Sequence, residues 1–77
     1  MRTHHLKILP EYFAAVQDRV KTAEVRYNDR GFMTGDWLVL EEWDGAEYTG
    51  YAVVRRITAV FGLAAIGFDD YVLICME

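Results

Sequence analysis

A chain of 77 residues with 53% hydrophobic and 14% aromatic side chains is too short for two cores and too apolar for disorder, so residues 1–77 are read as one domain. A formal net charge of −4 speaks against tight binding to duplex nucleic acid, which runs on phosphate neutralisation, and leaves local, weaker contacts open. One cysteine, Cys75, allows no internal disulfide, and the apolar runs are too short for a signal sequence or a membrane span. The expected location is therefore cytoplasmic, with no membrane partner.

Residues 4–9 form the first predicted strand, with Leu6 and Ile8 on one side and Lys7 on the other. Pro10 then opens a helix, because the first helical turn has no use for its missing N–H, and Glu11 suits the positive end of the helix dipole. Phe13, Val16 and Val20 recur at helical spacing with Tyr12 alongside, and the helix is expected to end near Asp18 or Arg19. At about two turns it is unstable alone and must pack on a sheet.

The pattern switches to period two over residues 22–28. Ala23, Val25 and Tyr27 point one way; Thr22, Glu24, Arg26 and Asn28 form a polar row expected to face outward. Turn signals follow at Asn28-Asp29-Arg30-Gly31 and Thr34-Gly35-Asp36. Residues 36–43 form a strand with Trp37, Val39 and Trp43 on one face and Leu38 and Leu40 on the other, with Trp37 expected in the core. Asp44-Gly45 marks a hairpin in an acidic stretch of Glu41, Glu42, Asp44 and Glu47. Residues 48–61 form a long strand, bent or bulged near Gly50; residues 62–70 are a connection, and the apolar run 71–76 suits a central strand. A strand, a helix and then four strands make a mostly β, α+β domain, a small and mostly antiparallel barrel.

The polar row is the main candidate for chemistry. Neighbours on one strand face lie roughly 6.6–7 Å apart, close enough to share a ligand. Lys21 stands just before them, and a lysine, an acid, an arginine and an amide together can bind an anion, read a nucleobase edge or move a proton. The same row also reads as a solvated face carrying a Glu24–Arg26 ion pair that adds little stability. His4 and His5 point to opposite faces of a strand and cannot readily share an ion, so no metal site is expected. Cys75 sits in an apolar run and reads as a buried thiol. No phosphate-binding glycine loop, Ser-His-Asp order or CxxC pair is present.

Several stretches carry a resemblance to a known family: His4-x-Leu6-Lys7, Leu9-Pro10-Glu11-Tyr12-Phe13-x-Ala15-Val16, Lys21-Thr22-x-Glu24-Val25-Arg26-x-Asn28-Asp29-Arg30 and Phe32-x-x-Gly35-Asp36-x-Leu38. Together they resemble the small ASCH-related (activating signal cointegrator homology) domains of the PUA-like superfamily found in bacteria and phages. The resemblance implies a β-barrel with a cleft beside the helix, lined by the K-T-x-E-x-R strand and binding RNA or a modified nucleoside. Lys21, Glu24 and Arg26 carry over as cleft residues, Asn28, Asp29 and Arg30 as its rim, and His4 as a hydrogen-bonding residue near its mouth; no cofactor is implied. The Gly35-Asp36 turn is read as structural.

Two departures matter. The glycine usual just after the helix is Arg19 here, which would be strained in a left-handed cap. Some ASCH relatives hydrolyse acylated cytidine with a Lys, Thr and Glu triad. Lys21 matches the lysine, but Glu24 stands at the threonine and Ile74 near the glutamate, so that activity does not transfer. The leading expectation is thus an RNA- or nucleoside-binding module. A small hydrolase using Lys21 and Glu24 on a modified nucleoside or RNA is one alternative, and a protein-interaction domain is another; the chain is a monomer or a homodimer.

Overall fold

A computed structural model describes all 77 residues. Strand β1 (Thr3–Ile8) leads into helix α1 (Pro10–Gln17), and β2 (Ala23–Tyr27), β3 (Trp37–Trp43), β4 (Tyr48–Gly62) and β5 (Tyr71–Met76) follow. The fold is mostly β with one short helix after the first strand, as the sequence indicates. Pro10 sits at the start of the helix behind an extended Leu9, and the first helical bond runs from Phe13 N–H to the Leu9 carbonyl at 2.8 Å. Phe13 and Val16 are buried. Val20, expected to continue that apolar face, is 81% exposed. The chain reverses at Asp18 and Arg19, so Val20 no longer follows the helical period.

The five strands form one sheet in the order β1-β3-β4-β5-β2. Three of its pairings are antiparallel, and β1 pairs β3 in parallel, with Leu6 opposite Leu40. The helix and β2 lie within the crossover that a parallel pair requires. β4 is the corner of the sheet. Its first part pairs β3 up to Arg56, and its second part pairs β5 from Ile57. The register slips by one residue between Ile57 and Ala59, a bulge that bends the strand. The expected irregularity near Gly50 is also present: the β3–β4 register shifts between Glu41 and Trp43, and Gly50 takes a φ of +95° there. β5 lies between β4 and β2, with partners on both edges.

Eleven apolar side chains form the core, among them Leu6, Ile8, Phe13, Val16, Leu38, Leu40, Ile57 and Ile74. Each fully buried aliphatic or aromatic side chain contributes about 1.5–3 kcal/mol. Trp37 is not among them: it is 41% exposed while its neighbour Leu38 is fully buried. Only the concave face of β3 meets the core, and Leu38 and Leu40 take that face. The expectation that Trp37 belongs to the core is thereby corrected.

The sheet does not close into a barrel by backbone pairing. β1 and β2 are its two edges, yet side chains from the β2 side reach across to β1 carbonyls: Arg26 Nη2 donates to Lys7 O at 2.6 Å and Arg30 Nη1 to His5 O at 2.7 Å. Two guanidinium groups thus fasten the seam between the two edges.

Candidate functional site

The local structure of β2 decides what lines this seam. Its register against β5 sets Glu24 opposite Ile74 and Arg26 opposite Val72, two buried core residues. Cross-strand partners share a face, so Glu24 and Arg26 point to the concave side. Val25 and Tyr27 point out and are 57% and 53% exposed. The polar row expected to face outward therefore faces inward. A slip of one residue would put Val25 inside and Glu24 in water. What favours the observed register is the seam itself: an edge strand with no backbone neighbour leaves room beside Glu24 for two cationic side chains.

Glu24 is only 7% exposed. Its Oε1 lies 3.3 Å from Lys21 Nζ, and its Oε2 accepts a hydrogen bond from Arg26 Nε at 3.1 Å. Lys21 Nζ also donates to Ala23 O at 2.5 Å and lies 5.8 Å from the centre of the Tyr12 ring. A carboxylate this deep would be costly to bury alone; two cations offset that cost and leave the cluster with a net positive charge. The cluster forms the floor of an open cleft of about 520 Å³, walled by Ile8, Leu9 and Tyr12 on one side and by the β2 residues on the other. Leu9 and Tyr12 are nearly half exposed, which gives the cleft an apolar lip.

Arg26 divides the seam. Beyond it lies a smaller hollow of about 170 Å³ lined by Leu6, Tyr27, Asp29, Arg30 and Phe32 as well as Arg26. The candidate residues thus separate into groups. Lys21, Glu24 and Arg26 share the cleft, and Asp29 and Arg30 belong to the neighbouring hollow. Asn28 holds the turn, its Oδ1 accepting from Phe32 N–H at 3.1 Å.

His4 lines neither space. It is buried, with Nε2 2.8 Å from Asp36 Oδ2 and its ring packed on Phe32 at 4.7 Å between centroids. Asp36 also accepts the backbone N–H groups of Arg2 and Met33. The His4 bond, then the Arg2 N–H, hold its carboxyl down at about 2 against an ordinary 3.8. The structural role read for the Gly35-Asp36 turn fits these bonds. Sequence reasoning missed the His4 partnership, and it missed Leu9 and Tyr12 as cleft wall. The signal for Tyr12 was its place beside the apolar stripe of the helix rather than within it. No three His, Cys, Asp or Glu side chains gather as a metal site, and no helix is long and apolar enough to cross a membrane.

Residues 3–76 match the family described as "Domain of unknown function (DUF3850)", and the chain belongs to that family. It is similar to the "Uncharacterized 12.9 kDa protein in GpA 3'region" of Escherichia phage P2, with 40% identity over 73 residues. The alignment covers 95% of this chain and 66% of the phage protein, so the chain spans just under two thirds of that relative's length.

Proposed function

We propose that the seam cleft binds a nucleoside, free or within single-stranded RNA, and that the domain is an ASCH-like module of the PUA-like superfamily acting in the cytoplasm. The observation that carries this reading is the buried Glu24 carboxylate held between Lys21 and Arg26 on the floor of an open cleft. A carboxylate accepts from the amino or ring N–H of a base edge; an adjacent guanidinium and ammonium donate to a base carbonyl or a phosphate. The N–H groups of Arg26 not engaged by Glu24 and Lys7 remain for that purpose. Tyr12 and Leu9 supply an apolar wall against which a base can stack. A volume of about 520 Å³ lies within the range of small-molecule sites. The K-T-x-E-x-R motif and a strongly curled five-stranded sheet support the same reading.

A hydrolase is less well supported. It would need Lys21 as nucleophile or acid–base group with Glu24 as partner, plus a further acid from the last strand. The residue opposite Glu24 on β5 is Ile74, fully buried and apolar.

Fluorescence anisotropy with single-stranded RNA and transfer RNA at about 50 and 200 mM salt tests the proposal. Wild-type protein is expected to bind modestly and to weaken with salt, and Lys21→Ala to lose roughly tenfold or more, the worth of a charge-assisted hydrogen bond. Arg56→Ala, an exposed charge outside the cleft, is the control. Absence of binding at low salt, or equal losses in both variants, would sink the reading.

A further inference from the structure

From Ala59 onward the convex face of the β4–β5–β2 part of the sheet carries no charged side chain; at its end the exposed Arg56 and Glu77 lie opposite each other, joined by a pair of backbone hydrogen bonds. Its cross-strand rows are Ala59, Cys75 and Ala23, then Phe61, Leu73 and Val25, then Tyr71 and Tyr27. Every position is apolar or aromatic, and the opposite face of these strands already faces the core. Phe61, Val25 and Tyr27 are more than half exposed and Tyr71 is 41% exposed. The aromatic surface continues into the loop before β5: the Tyr27 and Tyr71 rings meet edge to face at 5.5 Å, and Phe68, 56% exposed, lies 6.5 Å from Tyr71.

Taking about 200 Å² for an aromatic side chain, these residues present roughly 600 Å² of contiguous apolar surface. That is at the upper end of the largest patch on a typical monomer, about 300–600 Å². It approaches the ~800 Å² that each partner buries in a stable interface.

We propose that this face is the homodimer interface, covered by the same face of a second copy. Two observations select a second copy. The area is close to what a dimer needs with only modest additional contact at the rim. The face is also self-compatible: its three rows carry no charged side chain, the pair at its end (Arg56 and Glu77) is of opposite sign, and a two-fold axis through the Leu73 row sets that pair against the other end of the partner's face and not against its own copy. Two sheets would then stack about 10 Å apart through interdigitated Phe61, Leu73 and Val25. The clefts, on the opposite face of each β2, stay open to solvent and point away from each other. This inference is independent of what the cleft binds.

Sedimentation of the full chain from roughly 1 to 100 µM tests it. The mass is expected to rise from 8.9 kDa to twice that value across the series. Phe61→Glu and Val25→Lys, both at exposed positions, are each expected to move the midpoint at least tenfold higher. Cys75, expected from the sequence to be buried, is only partly buried on this same face and gives a readout that needs no variant: its alkylation should slow as wild-type concentration rises. A single 8.9 kDa species throughout, or alkylation independent of concentration, overturns the proposal and assigns the face to another occupant. Folded variants that dimerise like wild type overturn it as well.

Discussion

The two faces of β2 differ more sharply than any two elements of this molecule. On the concave side Glu24 and Arg26 form an ion-paired floor at the seam; on the convex side Val25 and Tyr27 stand in water. A solvated sheet has the opposite arrangement. Strict alternation tells which residues share a face and not which face is inside. That choice depends on the neighbours: Ile74 and Val72 behind Glu24 and Arg26, and no strand at all on the free edge. An edge strand can turn charge inward where the sheet fails to close, because the gap supplies counter-ions and solvent access that a closed barrel would not.

The largest effect that can test this contrast comes from adjacent residues of β5. Ile74→Ala removes a fully buried side chain beside Glu24 and is expected to cost about 2–5 kcal/mol, lowering Tm by roughly 10 °C or more. Leu73→Ala, on the convex face opposite Val25, should cost clearly less for the dilute monomer. Urea denaturation measures both, and equal losses would mean that the convex face is core-like even in dilute monomer. The next effect is Glu24→Gln, which keeps the shape and removes the charge. Lys21 and Arg26 are each over a quarter exposed, so solvent relieves part of the penalty, and the expected cost is about 1–2 kcal/mol. Calorimetric titration should show weaker binding of a neutral nucleoside together with stronger binding of polyphosphate. Val25→Gln next door should change stability by no more than about 0.5 kcal/mol.

Much of this was legible in the chain. Pro10, the period-two stretch through Tyr27 and the Asp44-Gly45 turn place the helix, β2 and the β3–β4 hairpin close to where they are found. These are local signals, decided within a few residues. What was not legible depends on contacts distant in sequence. The parallel pairing of β1 with β3 joins Leu6 to Leu40, and the buried His4–Asp36 pair spans a similar distance. Trp37 looked like core by its type, but its face was settled by which side of β3 the curled sheet enclosed. The grouping of Lys21, Glu24 and Arg26 was readable because it lies within six residues; the fastening of Arg26 to Lys7 O was not.

The β1 side of the seam has its own polar anchor, and acid probes it. The Asp36 carboxyl is held at about 2 in the folded chain and near 3.8 when unfolded, chiefly by His4 and then by the Arg2 N–H. A carboxylate with a depressed value contributes stability that is complete above about 3.8 and is lost as the pH falls through 2. The urea midpoint is therefore expected to fall between about pH 4 and pH 2. Asp36→Asn should be less stable at neutral pH and show a flatter decline over that window. An unchanged profile would show that the Asp36 anchor does not hold β1 to β3 in solution.

A small effect of the opposite sign is expected at the end of the helix. Arg19 has a φ of +60°, at the point where α1 ends and the chain turns toward Lys21. Val20 N–H reaches back to Ala15 O at 2.9 Å and Arg19 N–H to Val16 O at 3.0 Å, the bonds of a left-handed helix cap. A side chain other than glycine costs about 1–2 kcal/mol in that conformation, and glycine gives back roughly 0.5–1 kcal/mol through the freedom of its unfolded state. Charge adds to the case. Arg55 Nη2 donates to Val16 O at 3.2 Å, and burial together with the nearby Arg19 lowers its guanidinium below the ordinary value. Arg19→Gly removes both the strain and the repulsion, so a gain of about 0.5–1 kcal/mol is expected, a rise of roughly 2–6 °C in Tm. Lys21 N–H is itself fixed to Ala15 O at 3.0 Å, so the substitution should leave the cleft lysine in place and ligand affinity unchanged. A stabilised variant with weakened binding would mean that the Arg19 side chain, and not only the turn it occupies, belongs to the site.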